Sequence, residues 1–110
     1  IEKAKEAYDS KVYSNAIYFA YSSMVNSAKA ILLSENKSTN TQAGIINQFD
    51  SDFIKSDRLN LGVSFSDLIY QIRKNAPTKD FAKSYIKNAE DFLGKVRIFR
   101  EQEIEIIRQS

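Results

Sequence analysis

Apolar residues recur every three or four positions through most of this chain, a spacing that predicts α-helices. The longest uninterrupted pattern lies in residues 14–34, which contain neither Pro nor Gly. Larger apolar side chains occupy most of that helix's circumference, as expected where other helices surround it. Small side chains follow one side of it, at Ala16, Ala20, Ser23, Ser27 and Ala30. We therefore predict that this helix is the centre of a bundle.

Two shorter helices are predicted around it in the first half of the chain. The first runs from the start of the chain to about Asp9. Ser14 is the expected N-cap of the central helix, because its hydroxyl can accept a hydrogen bond from a free N–H of the first turn. The central helix ends near Glu35, and the polar segment after it is predicted to be a loop. The next helix begins near residues 41–42 and ends near Ile54.

The second half of the chain predicts two more helices. Residues 55–63 lose the helical spacing, and although three apolar residues alternate there, an ordered loop is favoured over a short strand. Ser64 caps the fourth helix, and Pro77 stops it because Pro disfavours helical geometry at the preceding residue. Thr78 caps a long fifth helix. The predicted fold class is all-α, a mostly antiparallel bundle of about five helices.

Composition removes several classes of function. The length of 110 residues suits one hydrophobic core, so we expect a single domain spanning 1–110. The chain has neither Cys nor His. This excludes disulfides, zinc sites with those ligands, and Ser-His or Cys-His nucleophiles. Neighbouring carboxylates such as Asp50 and Asp52 point to different helix faces, so we expect no metal and no other cofactor.

No apolar run approaches the ~18 residues that a membrane span needs, so we expect no membrane association and a cytoplasmic location. The chain begins with Ile1 rather than Met, and its helical spacing starts at that residue. We therefore expect that it was excised from a longer protein.

The basic residues have two interpretations. Lys79, Lys83 and Lys87 step by four along one face of the fifth helix, which is the spacing of a phosphate-contacting stripe. A solvated face is favoured, because the net charge is only +2 and acidic residues interrupt the stripe. Arg73 and Asn75 lie just before Pro77, where they could bind an anion. An ordinary Arg73 charge at a helix end is favoured.

The aromatic and apolar residues raise similar alternatives. Tyr18, Tyr21 and Tyr85 could stack on nucleic-acid bases, but their helical spacing beside other apolar residues favours the core. The last ten residues carry three isoleucines with nothing after them to cover them. We predict that they form an interface with a second copy or a neighbouring domain, the alternative being a frayed end; they are Ile104, Ile106 and Ile107.

Three segments together resemble the HEPN family of small helical domains. They are an aromatic residue at Tyr13 followed by AIYFAY at 16–21, AKAILL at 28–33, and FDSDFIKSDRL at 49–59. Active HEPN ribonucleases carry an Arg and a His separated by four to six residues near the start of the last long helix. Arg73 lies at about that place, but the His is missing.

The resemblance implies an intact fold without the residue that moves a proton near neutral pH. We therefore expect a non-catalytic accessory domain, not an enzyme, that forms a homodimer or docks on another domain of a parent protein. The alternatives are an RNA-binding domain or degenerate HEPN ribonuclease, and a bundle that binds a nucleotide or small ligand. Residues 37–46 and 73–78 are also similar to a HEPN-like extension after nitrite or sulfite reductase domains in some Bacteroidetes, which suggests such a parent.

Overall fold

The computed structural model describes residues 1–109, which form five α-helices and contain no strand. A π-helical turn, Asp50–Ile54, continues α3, and a 3₁₀ turn, Tyr70–Arg73, continues α4. The α-helices are α1 Glu2–Asp9, α2 Tyr13–Ser34, α3 Gln42–Phe49, α4 Phe65–Ile69 and α5 Lys79–Gln109. The all-α prediction is confirmed. Within residues 1–109, no helix is both long and apolar enough to cross a membrane.

The central position predicted for α2 agrees with its contacts, because α2 packs against α1, α3 and α5. Ala16, Ala20 and Ala28 are completely buried on its inner side. Ala30 is exposed, so the predicted groove of small residues ends before the last turn of the helix.

Three predicted helix starts have a side-chain cap and one does not. The hydroxyls of Thr41, Ser64 and Thr78 accept hydrogen bonds from backbone N–H groups of α3, α4 and α5. Ser14 is not a cap, because α2 already begins at Tyr13. The reason lies in the preceding turn. Lys11 adopts a φ of 63°, and the Val12 N–H donates to the carbonyl of Ala7. This turn closes α1 and leaves only residues 10–12 before α2.

Four phenylalanines join three helices at the centre of the fold. The ring centroid of Phe49 lies 4.9 Å from that of Phe53 and 4.7 Å from that of Phe65. The Phe92 ring of α5 lies 4.8 Å from Phe65 and 5.6 Å from Phe49. All four side chains are buried. Such ring contacts add about 0.5–1.5 kcal/mol per pair beyond the burial of apolar area.

The Asp50 side chain is buried beside these rings, with 6% of its surface exposed. Its two carboxylate oxygens accept hydrogen bonds from the backbone N–H groups of Phe65 (2.6 Å) and Ser66 (3.0 Å). These are two of the free donors at the start of α4. Asp50 therefore fixes the end of α3 to the beginning of α4.

We expect Asp50→Ala to destabilise the protein by about 1–3 kcal/mol, because it leaves two N–H groups of α4 without an acceptor. Asp91→Ala is the matched control, since Asp91 is exposed on α5, and it should change stability by less than about 0.5 kcal/mol. Urea unfolding followed by circular dichroism measures both. Equal stabilities of the two variants would contradict this role of Asp50.

Candidate functional site

Three tyrosines and an arginine gather where the 3₁₀ turn passes α2. Tyr18 and Tyr21 belong to α2, whereas Tyr70 and Arg73 begin and end the 3₁₀ turn. The Arg73 guanidinium carbon lies 3.8 Å from the centroid of the Tyr70 ring, a close cation–π contact. Tyr21 lies near enough to the other three residues for them to influence its pKa. We call these four residues the tyrosine–arginine surface.

Tyr18 is the most exposed of the three rings, with 62% of its surface accessible. This corrects the prediction that it belongs to the core. The buried side of α2 contains Ala16 and Ile17, and Tyr18 projects instead from the side that carries the exposed Lys29. Tyr85 is completely buried, as predicted.

The phenol groups near this surface are hydrogen-bond donors rather than bases. The Tyr21 hydroxyl donates to Oε1 of Gln42 at 2.6 Å, and partial burial raises the pKa of Tyr21, an effect that Arg73 opposes. The Tyr85 hydroxyl donates to the carbonyl of Ile69 at 3.0 Å, and burial raises the pKa of Tyr85 well above its usual range. Both phenols therefore stay protonated at neutral pH.

The structure separates Arg73 from Asn75, which the sequence placed in one candidate site. The Asn75 side-chain amide donates to the carbonyl of Gln71 at 2.8 Å, so it caps the end of the 3₁₀ turn. Arg73 is exposed and forms no ion pair within residues 1–109. Its guanidinium N–H groups are therefore available to an anion.

The three lysines of α5 form a different basic region. Lys79, Lys83 and Lys87 are exposed along α5, whereas Arg73 ends the 3₁₀ turn that precedes it. Lys83 and Lys87 border a groove of about 360 Å³ between α1 and α5. Lys5 and Glu90 close its rim with an ion pair of 3.0 Å.

Arg58 has a structural role that the sequence did not indicate. Its guanidinium binds both carboxylate oxygens of Glu35, at 3.0 and 2.6 Å, and one oxygen of Glu103 at 3.0 Å. It also lies 4.4 Å from the centroid of the Phe53 ring. The bond to Arg58 is the main reason that the pKa of Glu35 is lowered. Arg58 thus connects the ends of α2 and α5 and is not free to bind a ligand.

Carboxylates do not gather into a metal site in residues 1–109. No three His, Cys, Asp or Glu side chains lie together there. Asp52 instead accepts hydrogen bonds from Lys37 at 2.6 Å and from the Gln48 amide at 3.0 Å. The bond from Lys37 is the main reason that the pKa of Asp52 is lowered.

Comparison with known proteins adds one relative. The chain is similar to a protein of Methanocaldococcus jannaschii named "Putative toxin MJ0605". The two are 29% identical over 106 residues, which cover 88% of this chain and 78% of the relative. No protein-family model and no solved structure matches the chain.

This similarity contradicts the prediction that the chain is not an enzyme. That prediction depended on the missing His. The similarity to a protein named as a toxin covers most of the chain, so the absence of His is not sufficient reason to exclude an enzyme. The relative's name mentions no reductase, so the similarity adds nothing to the expected reductase parent.

The ion pairs of Arg58 with Glu35 and Glu103 should make the stability of the fold sensitive to acid. Since the pKa of Glu35 is lowered in the folded state, its contribution is complete above its ordinary pKa of 4.5 and is lost as pH falls through the lowered value. Arg58→Gln should therefore lower the urea midpoint most near neutral pH, with a gap from wild type that shrinks below about pH 4.

Urea titrations at a series of pH values measure this gap. Arg100→Gln is the control, because Arg100 is exposed and forms no ion pair within residues 1–109. A gap for Arg58→Gln that stays constant down to about pH 3 would show that the Glu35 carboxylate does not contribute.

Proposed function

We propose that this chain is a HEPN-like RNA-binding protein of the toxin type that contacts RNA through the tyrosine–arginine surface. The observation that carries the proposal is the cation–π contact of Arg73 with Tyr70 near Tyr21, with the exposed ring of Tyr18 three residues before Tyr21 on α2. Sequence-tolerant RNA sites combine flat aromatic faces with cationic groups that follow the backbone.

Each part of the surface suits a different part of an RNA strand. The exposed Tyr18 ring offers a face on which an unpaired base can stack. Arg73 lies over the Tyr70 ring, and its N–H groups are donors for phosphate oxygens. Because the guanidinium is already held in place, less side-chain conformational entropy is lost when RNA binds.

Two further observations support the HEPN-like and toxin-type parts of the proposal. Arg73 precedes α5, the last long helix, which is about where the active members of the HEPN family carry their Arg. The relative named as a toxin covers most of the chain. The all-α fold agrees with both.

The relative's name also favours a second candidate, cleavage of the bound RNA. The ribose 2′-oxygen would attack the adjacent phosphorus, a 2′,3′-cyclic phosphate would form, and the bond to the 5′-oxygen would break. The 2′-hydroxyl proton would pass to water, and the departing 5′-oxygen would take a proton from water. Arg73 would stabilise the charge on the phosphorane, and without an imidazole the reaction would be slow.

Removing a ring or the guanidinium should weaken RNA binding without unfolding the chain. We expect Tyr18→Ala and Arg73→Ala each to raise the Kd for a labelled single-stranded RNA by about tenfold, since stacked bases and phosphate contacts are each worth about 1–3 kcal/mol. Arg100→Ala is the control, because Arg100 is exposed near the far end of α5 and forms no ion pair within residues 1–109. Fluorescence anisotropy at about 50 mM salt measures all of them.

Absence of wild-type binding at low salt would refute the proposed function, and an equal loss in Arg100→Ala would refute the proposed surface. Circular dichroism shows whether each variant keeps its helical content.

Cleavage is tested separately on the same RNA. We expect products with 2′,3′-cyclic phosphate ends from wild type, none from an all-deoxy strand, and at least a tenfold loss of rate in Arg73→Ala prepared in the same way. Without an imidazole, the rate should rise with pH across neutrality rather than pass through a maximum. Equal cleavage by both preparations would identify a contaminating nuclease.

A further inference from the structure

The outer face of α5 carries a charge pattern that is complementary to itself. Every seventh residue along the helix is, in order, Asp80, Lys87, Gly94, Glu101 and Arg108. Residues seven apart lie on nearly the same side of a helix. When this series is aligned with its own reverse, each negative residue lies opposite a positive one and Gly94 lies opposite itself. The four charged residues are exposed, and Gly94 is partly exposed.

Two further charged residues, Lys83 and Glu105, strengthen the pattern. Each of them lies near a residue of the series that has the same charge. Lys83 lies four residues before Lys87, and Glu105 lies four residues after Glu101. Like charges at this spacing are unfavourable in an isolated helix. None of these four side chains forms an ion pair within residues 1–109. Glu105 accepts a hydrogen bond from the neutral Gln109 amide at 3.1 Å. The chain therefore places two clusters of opposite sign, with no ion pair to either cluster in the described residues, on one face.

Gly94 lies at the centre of this series, seven residues from each of Lys87 and Glu101. Gly weakens a helix relative to Ala. A Cβ atom built at this position would meet no atom within 4 Å, so no contact within the monomer requires Gly here. A close approach by another chain does supply a reason for it.

We propose that this face of α5 pairs with the same face of a second copy, antiparallel, around a two-fold axis at Gly94. Symmetry then brings Lys87 opposite Glu101 and Asp80 opposite Arg108, each pairing occurring twice. Lys83 and Glu105 add to the same contacts. The two Gly94 residues face each other and let the helices approach closely.

The pattern favours a second copy over an unrelated partner. A different protein would not require the charges of α5 to be complementary about their own midpoint, whereas a two-fold axis does. The face is also long enough. With 31 residues, α5 extends for ~46 Å, close to the longest dimension of the molecule, 48 Å.

The proposed pairing would also give a contact to one of the three isoleucines near the end of α5. Ile104, which is 49% exposed, lies ten residues after Gly94, so it would come beside Ser84 and the groove between α1 and α5 of the second copy. This groove has an apolar wall formed by Tyr8 and Ile86. Ile106 and Ile107 project from other sides of α5 and have no part in this pairing.

Sedimentation equilibrium of the full chain tests the proposal through exchange of charge. Wild type should dimerise at about 50 mM salt and dissociate towards monomer at about 500 mM. Lys87→Glu and Glu101→Lys should each weaken the dimer by about tenfold or more, because each places like charges opposite each other twice. The double variant should restore dimerisation, since it exchanges the two charges.

Lys29→Glu is the control for a charge reversal on another face. Circular dichroism must show that Lys87→Glu keeps its helical content, because that change removes the repulsion with Lys83 but places a like charge three and four residues before Glu90 and Asp91. A monomer at low salt, a dimer insensitive to the single variants, or a double variant as weak as they are would each overturn the proposal. No residue of the tyrosine–arginine surface is altered, so RNA binding is tested independently.

Discussion

A buried carboxylate holds together the part of the molecule on which the candidate site depends. Asp50 stays away from water only because the N–H groups of Phe65 and Ser66 replace its hydration. This exchange fixes where α4 begins, and the phenylalanine rings on both sides pack around the junction. The 3₁₀ turn continues α4 directly, so the positions of Tyr70 and Arg73 follow from it. An internal polar contact thereby determines an external surface.

The sequence predicted the helices well because each leaves a local pattern. Periodic apolar residues mark the buried sides, and caps such as Ser64 and Thr78 act on N–H groups three residues away. The prediction of Ser14 as an N-cap was wrong, because the closing turn of α1 determines where α2 starts. The residues of α2 do not reveal that turn. The partners of Arg58 lie 23 and 45 residues away along the chain, so no local pattern predicts its ion pairs.

The candidate site was predicted only in part, for a similar reason. The sequence identifies Arg73. Its three-residue spacing from Tyr70 is also a local signal, since it allows the ring to contact the guanidinium. Tyr18 was assigned to the core because its neighbours are apolar. Helical geometry alone left it undecided which side of α2 would face water, since that depends on where α1, α3 and α5 pack.

Net charge was a weak guide because it discards the order of the charges. A total of +2 is compatible both with scattered solvated residues and with clusters of opposite sign that cancel in the sum. On α5 the positive cluster at Lys83 and Lys87 and the negative cluster at Glu101 and Glu105 contribute nothing to that total. Their separation along one face gives the helix a direction, and two such helices attract each other when they run in opposite directions. Lys83 and Lys87, two of the three lysines that the sequence suggested as a phosphate-contacting stripe, therefore have a second explanation, in which the negative charge comes from another copy of the chain.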